Sequence, residues 1–343
     1  MTITRGGAWA GSSSTIWPGP RSRRASWASR PRCSRATRAC AGRWPRALRR
    51  WTPPTAPGRP SSSWISRTAA ARATRACGGE ASMLPREHGS WAMVVAPALV
   101  GWAAAGGGSA AVGALFVLAL FGAFLARTPL TALVSDPSDP RARRWLAVYS
   151  AAAAAGLVGL VAGYGRWGIL PLGVPGAAVM AASLWYAARK RAMTEAHELL
   201  GVAGLCLGAP GAYYAAAGAW APEAAWAWAL CALFLSGPVF HVKMLVANRI
   251  ASVPAPAPGA AERADRAAAQ SAAYHGAAAA AVLGGVVFGP LPAVAVLPFA
   301  GILAKTLYYG AHRGARLELK KVGWQEVGWT LVFVAVSAAG FRG

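Results

Sequence analysis

The chain has 343 residues, of which 55% are hydrophobic and 13% charged, about half the charged fraction of an ordinary soluble domain. That balance excludes a water-solvated domain as the main architecture and points to lipid as the solvent. The formal charge of +24 would suggest nucleic acid if it were evenly spread, but residues 1–82 hold 16 Arg and one acid, Glu80, while the remainder holds 19 Lys plus Arg against 10 acids, set almost entirely between apolar runs; no nucleic-acid partner is expected.

Residues 1–82 contain no Lys, Asp, Asn, Gln, His, Val, Phe or Tyr, yet six Trp and three of the five Cys. A solvated disordered tail is rich in Glu, Lys, Gln and Ser, and a basic nucleic-acid arm uses Lys as well as Arg. A mixture of Arg, Ala, Ser, Pro, Gly and Trp is what a GC-rich gene yields when read upstream of its start. The expectation is that 1–82 is a mis-assigned or disordered basic extension, that translation begins at Met83, and that 83–343 is a transmembrane helical domain. Peptides from residues 1–70 in a mass spectrum of the native protein would overturn this.

Residues 91–126 carry no charge and are interrupted only by Gly106-Gly107-Gly108-Ser109. A helix needs about 20 residues to cross a hydrocarbon core of about 30 Å, so this run predicts a hairpin of two spans. Charge-free segments follow at 145–165, 167–188, 199–222 and 224–240, each one span. Residues 267–304 are again double length, divided by Gly289-Pro290-Leu291-Pro292, and 327–341 is a short last segment. The predicted fold is therefore an all-α polytopic transmembrane helical bundle of about nine spans. Two spans are interrupted, at Gly208-Ala209-Pro210-Gly211 and Ser236-Gly237-Pro238, and in so Gly- and Pro-rich a chain these read as kinks. Cys206 and Cys231 lie inside apolar runs without ligand spacing and read as small buried hydrophobes.

The placement of Lys and Arg orients the bundle. One side receives Arg86, Arg127, Arg141, Arg143, Arg144, Arg189, Lys190, Arg191, Arg249, Arg263, Arg266, Arg313, Arg316, Lys320 and Lys321; the other receives Arg166 and Arg342. The expectation is an amino end inside, a carboxyl end outside, a cytoplasmic loop at about 248–270, and location in the cytoplasmic membrane.

Polar residues that could do chemistry gather near the predicted cytoplasmic span ends. They are Arg86, Glu87, His88, Arg127, Lys190, Glu195, His197, His241, Lys243, His275, Lys305 and His312, and Glu318 and Glu326 share their level. One reading is interfacial marking, because the bilayer core excludes such groups. The sharper reading is a shared polar site centred on Arg86, Glu87 and His88, for a ligand more anionic or amphiphilic than cationic. Lys305 is the one unambiguous charge within a predicted span, and could snorkel or neutralise an anion. No carboxylate is expected deep in a span, which argues against an ion-coupled transporter.

The run Pro85-Arg86-Glu87-His88-Gly89-Ser90-Trp91-Ala92-Met93, followed by an apolar span containing Pro97, resembles the opening signature of the YwiC-like family of bacterial integral membrane proteins. Lys320-Lys321-Val322-Gly323-Trp324-Gln325-Glu326 is similar to that family's basic approach to its last helix. The resemblance implies a multi-span membrane protein and brings no reaction with it. The layout is also similar to that of the UbiA-type prenyltransferases, whose nine helices carry two Asp-rich cytoplasmic motifs. The matching loops here hold Asp136 with Asp139 and Glu262 with Asp265. Under that alternative they would hold Mg²⁺ and an isoprenoid diphosphate, although the Asn-Asp-x-x-Asp-x-x-x-Asp pattern is absent and each of the first pair precedes a Pro. A transporter or an assembly partner of a respiratory complex is the other alternative. The expected partners are the lipid bilayer and an anionic or isoprenoid lipid; the sequence names no cofactor, apart from Mg²⁺ under the prenyltransferase alternative.

Overall fold

The structure is a computed structural model, and it describes residues 83–85, 88–189, 194–254, 256–312 and 319–342. Arg86, Glu87, Lys190 and residues 1–82 lie outside the described residues, as does the side chain of His88.

The described residues form helices joined by turns. In chain order they are α1 (His88–Ala104), α2 (Ala110–Ser135), α3 (Pro140–Val158), α4 (Gly173–Ala188), α5 (Glu195–Cys206), α6 (Gly208–Ala217), α7 (Pro222–Ala251), α8 (Ala260–Phe288), α9 (Val296–Ala311) and α10 (Leu319–Arg342). A π turn, Gly159–Gly163, extends α3, and 3₁₀ turns at Trp167–Leu172 and Ala293–Ala295 lead into α4 and α9. With these extensions, and with α5 and α6 counted as one span, eight helices are long and apolar enough to cross a membrane. The shorter apolar helix Gly89–Ala104 stands beside them.

The glycine turn after α1 forms as its sequence demands. Gly106 and Gly107 take φ of 75° and 90°, a region that costs a side chain energy. The Ser109 hydroxyl then caps α2 by accepting from Val112 N–H.

Both interrupted spans stay helical. Pro238 lies inside an unbroken α7, and at Leu207 one tightened turn joins α5 to α6 while the chain stays right-handed. A proline removes one backbone donor without unwinding the helix around it.

Several helices run past the apolar segments that announce them. α2 continues through Arg127 to Ser135 and stops where Asp136 turns extended before Pro137. α7 and α8 reach Ala251 and back to Ala260, which shrinks the expected loop at 248–270 to residues 252–259. α10 begins at Leu319, so Glu326 stands inside a helix and not in the connection before it. The common reason is that a charge does not end a helix. Only a cap, a Gly or a Pro does, and a long side chain reaches the interface from within the helix.

The centre of the bundle is α6, buried from Gly208 to Ala215, together with α7. Small residues permit close approach: a Cβ on Gly101 of α1 would fall on the Ala209 carbonyl of α6. On Gly122 of α2 it would lie 2.5 Å from the Ala153 nitrogen of α3. Such contacts supply the van der Waals packing that holds helices together in lipid, where no hydrophobic drive exists between them. Phe234, Phe299 and Phe333 tie α7, α9 and α10, with Phe234 stacked on Phe333 at 4.0 Å and Phe299 edge-on at 5.6 Å. Cys206 and Cys231 are free and buried, as expected.

Candidate functional site

α7 divides the polar residues. His241 and Lys243 are two residues apart, which turns their side chains about 200° from each other around the helix. The first group gathers at His241, the second at Lys243.

His241 is 1% exposed. Its Nδ1 lies 3.3 Å from the Thr306 hydroxyl of α9, and its ring packs edge-on to Tyr309 at 5.7 Å and to His275 of α8 at 6.4 Å. His275 Nδ1 is 2.7 Å from the Ser271 carbonyl. A carbonyl only accepts, so Nδ1 carries a proton and donates it. The His275 Nε2 lies against Gly237: a Cβ there would stand 2.8 Å from it. The missing side chain of Gly237 is what admits the ring. Neither His241 Nε2 nor His275 Nε2 has a hydrogen-bond partner among the described residues. Next to Thr306, Lys305 Nζ pairs with Glu326 Oε1 of α10 at 2.6 Å, the two side chains being 10% and 16% exposed.

The second group joins α5 and α7, with Arg127 of α2 nearby across the cleft from α5. Lys243 Nζ lies 3.0 Å from Glu198 Oε2 and 3.5 Å from Glu195 Oε1, both in the first turn of α5. Carboxylates there also favour the helix dipole. His197 is buried and packs on Tyr186 at 5.2 Å. Arg127 is half-buried, has no carboxylate partner among the described residues, and lines a cleft of about 500 Å³ bounded by α2, α3, α4, α5 and α6.

Other expected residues stay apart. His312 is exposed at the end of α9, stacked on Tyr308 at 4.3 Å with Nδ1 donating to the Tyr308 carbonyl. Asp136 Oδ1 accepts from the Ser138 hydroxyl at 2.7 Å and backbone N–H at 3.1 Å. Those two bonds, the hydroxyl first, hold its carboxyl below the usual range. Asp139 caps α3 by accepting from Arg141 and Ala142 N–H, with Pro140 at the first helical position. Both carboxylates are thus engaged by their own turn. Glu262 stands in the first turn of α8, with Asp265 one turn on. Among the described residues no three His, Cys, Asp or Glu come together as metal ligands.

Thr306, Ser271 and Asn248 carry no obvious sequence signal, because small polar residues are ordinary in membrane helices, while Gly237 stands out only as part of an interrupted span. The Ser271/His275 spacing of four was visible, but that a backbone carbonyl and not a hydroxyl would accept was not. Asn248 Nδ2 donates to the Tyr309 carbonyl at 3.2 Å, tying α7 to α9.

Apolar helices of spanning length, with no strand among the described residues, define an all-α multi-pass membrane protein. Residues 84–213 match the model of the YwiC-like protein family. The match spans α1 to α5 and most of α6, and it includes the run 85–93 that carried the resemblance. No curated protein and no solved structure matches the chain.

Proposed function

We propose that the protein resides in the cytoplasmic membrane with its amino end inside, and that the polar groups at its cytoplasmic level form a site for an anionic amphiphile. The observation that carries this reading is that Arg127 lines an apolar cleft without the carboxylate that two lysines in neighbouring helices have. Lys305 has Glu326 and Lys243 has Glu195 and Glu198, whereas half-buried Arg127 has no carboxylate among the described residues. A cation held partly out of water without a counter-ion is costly, and a guanidinium is the side chain best suited to a phosphate or carboxylate. The excess of Lys and Arg at the same helix ends supports the orientation.

The test is binding of a fluorescent long-chain alkyl phosphate to the full chain in neutral detergent. Arg127→Gln is expected to weaken binding by at least about tenfold, since a charge-assisted hydrogen bond contributes about 1.5–3 kcal/mol. Arg141→Gln, in the first turn of α3, is expected to change it little. Equal affinity in wild type and Arg127→Gln sinks the reading.

A further inference from the structure

The cleft beside Arg127 has a shape that narrows the ligand. Apart from Arg127 and Ser183 its lining is apolar. Along α2 it runs from Phe116 to Arg127, eleven residues or about 16 Å at helical rise. Along α5 and α6 it runs from Gly201 to Gly211, about 15 Å. Half of a hydrocarbon core of about 30 Å is about 15 Å, so the slot is one leaflet deep. Its polar end is consistent on three walls: Arg127 is eight residues from the end of α2, Ser183 five from the end of α4, and Gly201 six from the start of α5.

The cleft is also open on the correct side. α3 and α4 flank it and make at most a marginal contact with each other, whereas α2 packs closely on α3 and α5 on α7. An opening between two outer helices of a bilayer-embedded bundle faces acyl chains. The floor is glycine-lined: nothing lies within 4 Å of a Cβ added at Gly176 or Gly201, so at these positions the missing side chains leave open space.

We propose that the cleft holds one acyl chain of an anionic phospholipid of the cytoplasmic leaflet, with its phosphate against the Arg127 guanidinium. This rests on Arg127 as the anion receptor and adds the tail slot, the leaflet and the ligand class. A slot one leaflet deep with its cation at the headgroup end accepts a lipid that enters sideways from the bilayer, with no aqueous route. The volume of about 500 Å³ falls within the usual range of about 300–1,000 Å³ for a small-molecule site.

The experiment is native mass spectrometry of the full chain in neutral detergent with added phosphatidylglycerol or phosphatidylcholine of matched chains. Wild type is expected to retain phosphatidylglycerol at least about tenfold better. Arg127→Gln should abolish that preference. Gly176→Leu on α4 and Gly201→Leu on the adjacent α5, both lining the cleft, should each cut retention of both lipids by a similar factor. Neither meets a neighbouring atom at its Cβ, and both improve helix propensity, so thermal unfolding should stay at or above wild type. If the leucine variants retain both lipids as wild type does while Arg127→Gln loses the preference, the tail slot is wrong and the polar site stands. If wild type shows no preference between the lipids, both fall.

Discussion

Removing Lys305 while leaving Glu326 in place is the sharpest perturbation the core offers. The pair closes at 2.6 Å between α9 and α10 with side chains 10% and 16% exposed, so neither charge keeps much of its hydration. Breaking a pair this dry leaves one buried charge uncompensated, and such single removals cost about 3–5 kcal/mol. At about 1.36 kcal/mol per tenfold, Lys305→Met should lower the folded-to-unfolded ratio by two to nearly four orders of magnitude. Replacing both partners, Lys305→Met with Glu326→Leu, removes the two desolvation penalties along with the attraction and should return stability to within about 1 kcal/mol of wild type or above it. Lys243→Met is the internal control. Its pair is 34% exposed on the lysine side and 32–52% on the glutamates, so water competes and the loss should be at most about 1 kcal/mol. Unfolding in mixed detergent and dodecyl sulfate, followed by far-UV circular dichroism, measures all four. The reasoning is refuted if Lys305→Met costs no more than Lys243→Met, or if the double variant is as unstable as the single.

Other outcomes follow from the same coordinates. Gly237→Ala places a Cβ 2.8 Å from His275 Nε2; it should push the ring off the Ser271 carbonyl and destabilise by about 1–3 kcal/mol, with the His275 side-chain resonances shifted in NMR spectra. Gly122→Ala should cost as much or more, since its Cβ meets the α3 backbone at 2.5 Å, whereas Gly276→Ala meets nothing within 4 Å and should be neutral or stabilising by up to about 1 kcal/mol; thermal unfolding of the two variants compares them directly. Asp139→Ala should lose the α3 cap, about 0.5–2 kcal/mol in the same unfolding assay. Ser138→Ala should raise the titration midpoint of Asp136 in carboxylate NMR, because the hydroxyl is the largest influence holding it low. The sign follows from that direction: the contribution of Asp136 is present above the ordinary carboxylate value and is lost as pH falls through its lowered one.

The polar layer was only partly legible in the residues. Lys305 stood out because a lysine six residues inside the end of an apolar helix is rare, but its partner Glu326 sat before the last charge-free segment and read as an interfacial residue. The five histidines share one level of the alternating spans, and nothing in spacing told which would meet. His241 and His275 come within 6.4 Å where Gly237 of α7 leaves room for the His275 ring of α8, while His312 stacks on its own helix. The Asp136 and Asp139 pair looked like ligand spacing, yet each carboxylate is engaged by the turn that its neighbouring proline helps to form.

What the sequence determined by itself was the solvent, the class of fold, the count of apolar helices and the burial of Cys206 and Cys231. Each is set residue by residue, because the penalty for placing a charge or an open backbone in hydrocarbon is local and adds along the chain. What only the tertiary structure decided was azimuth and partnership: which face of α7 His241 and Lys243 take, that Lys305 pairs with Glu326 while Arg127 has no carboxylate partner among the described residues, and that glycines on α4 and α5 line a cleft. Those depend on how helices far apart in sequence rotate and lean against one another, and a pattern read along one strand of text carries no term for that rotation.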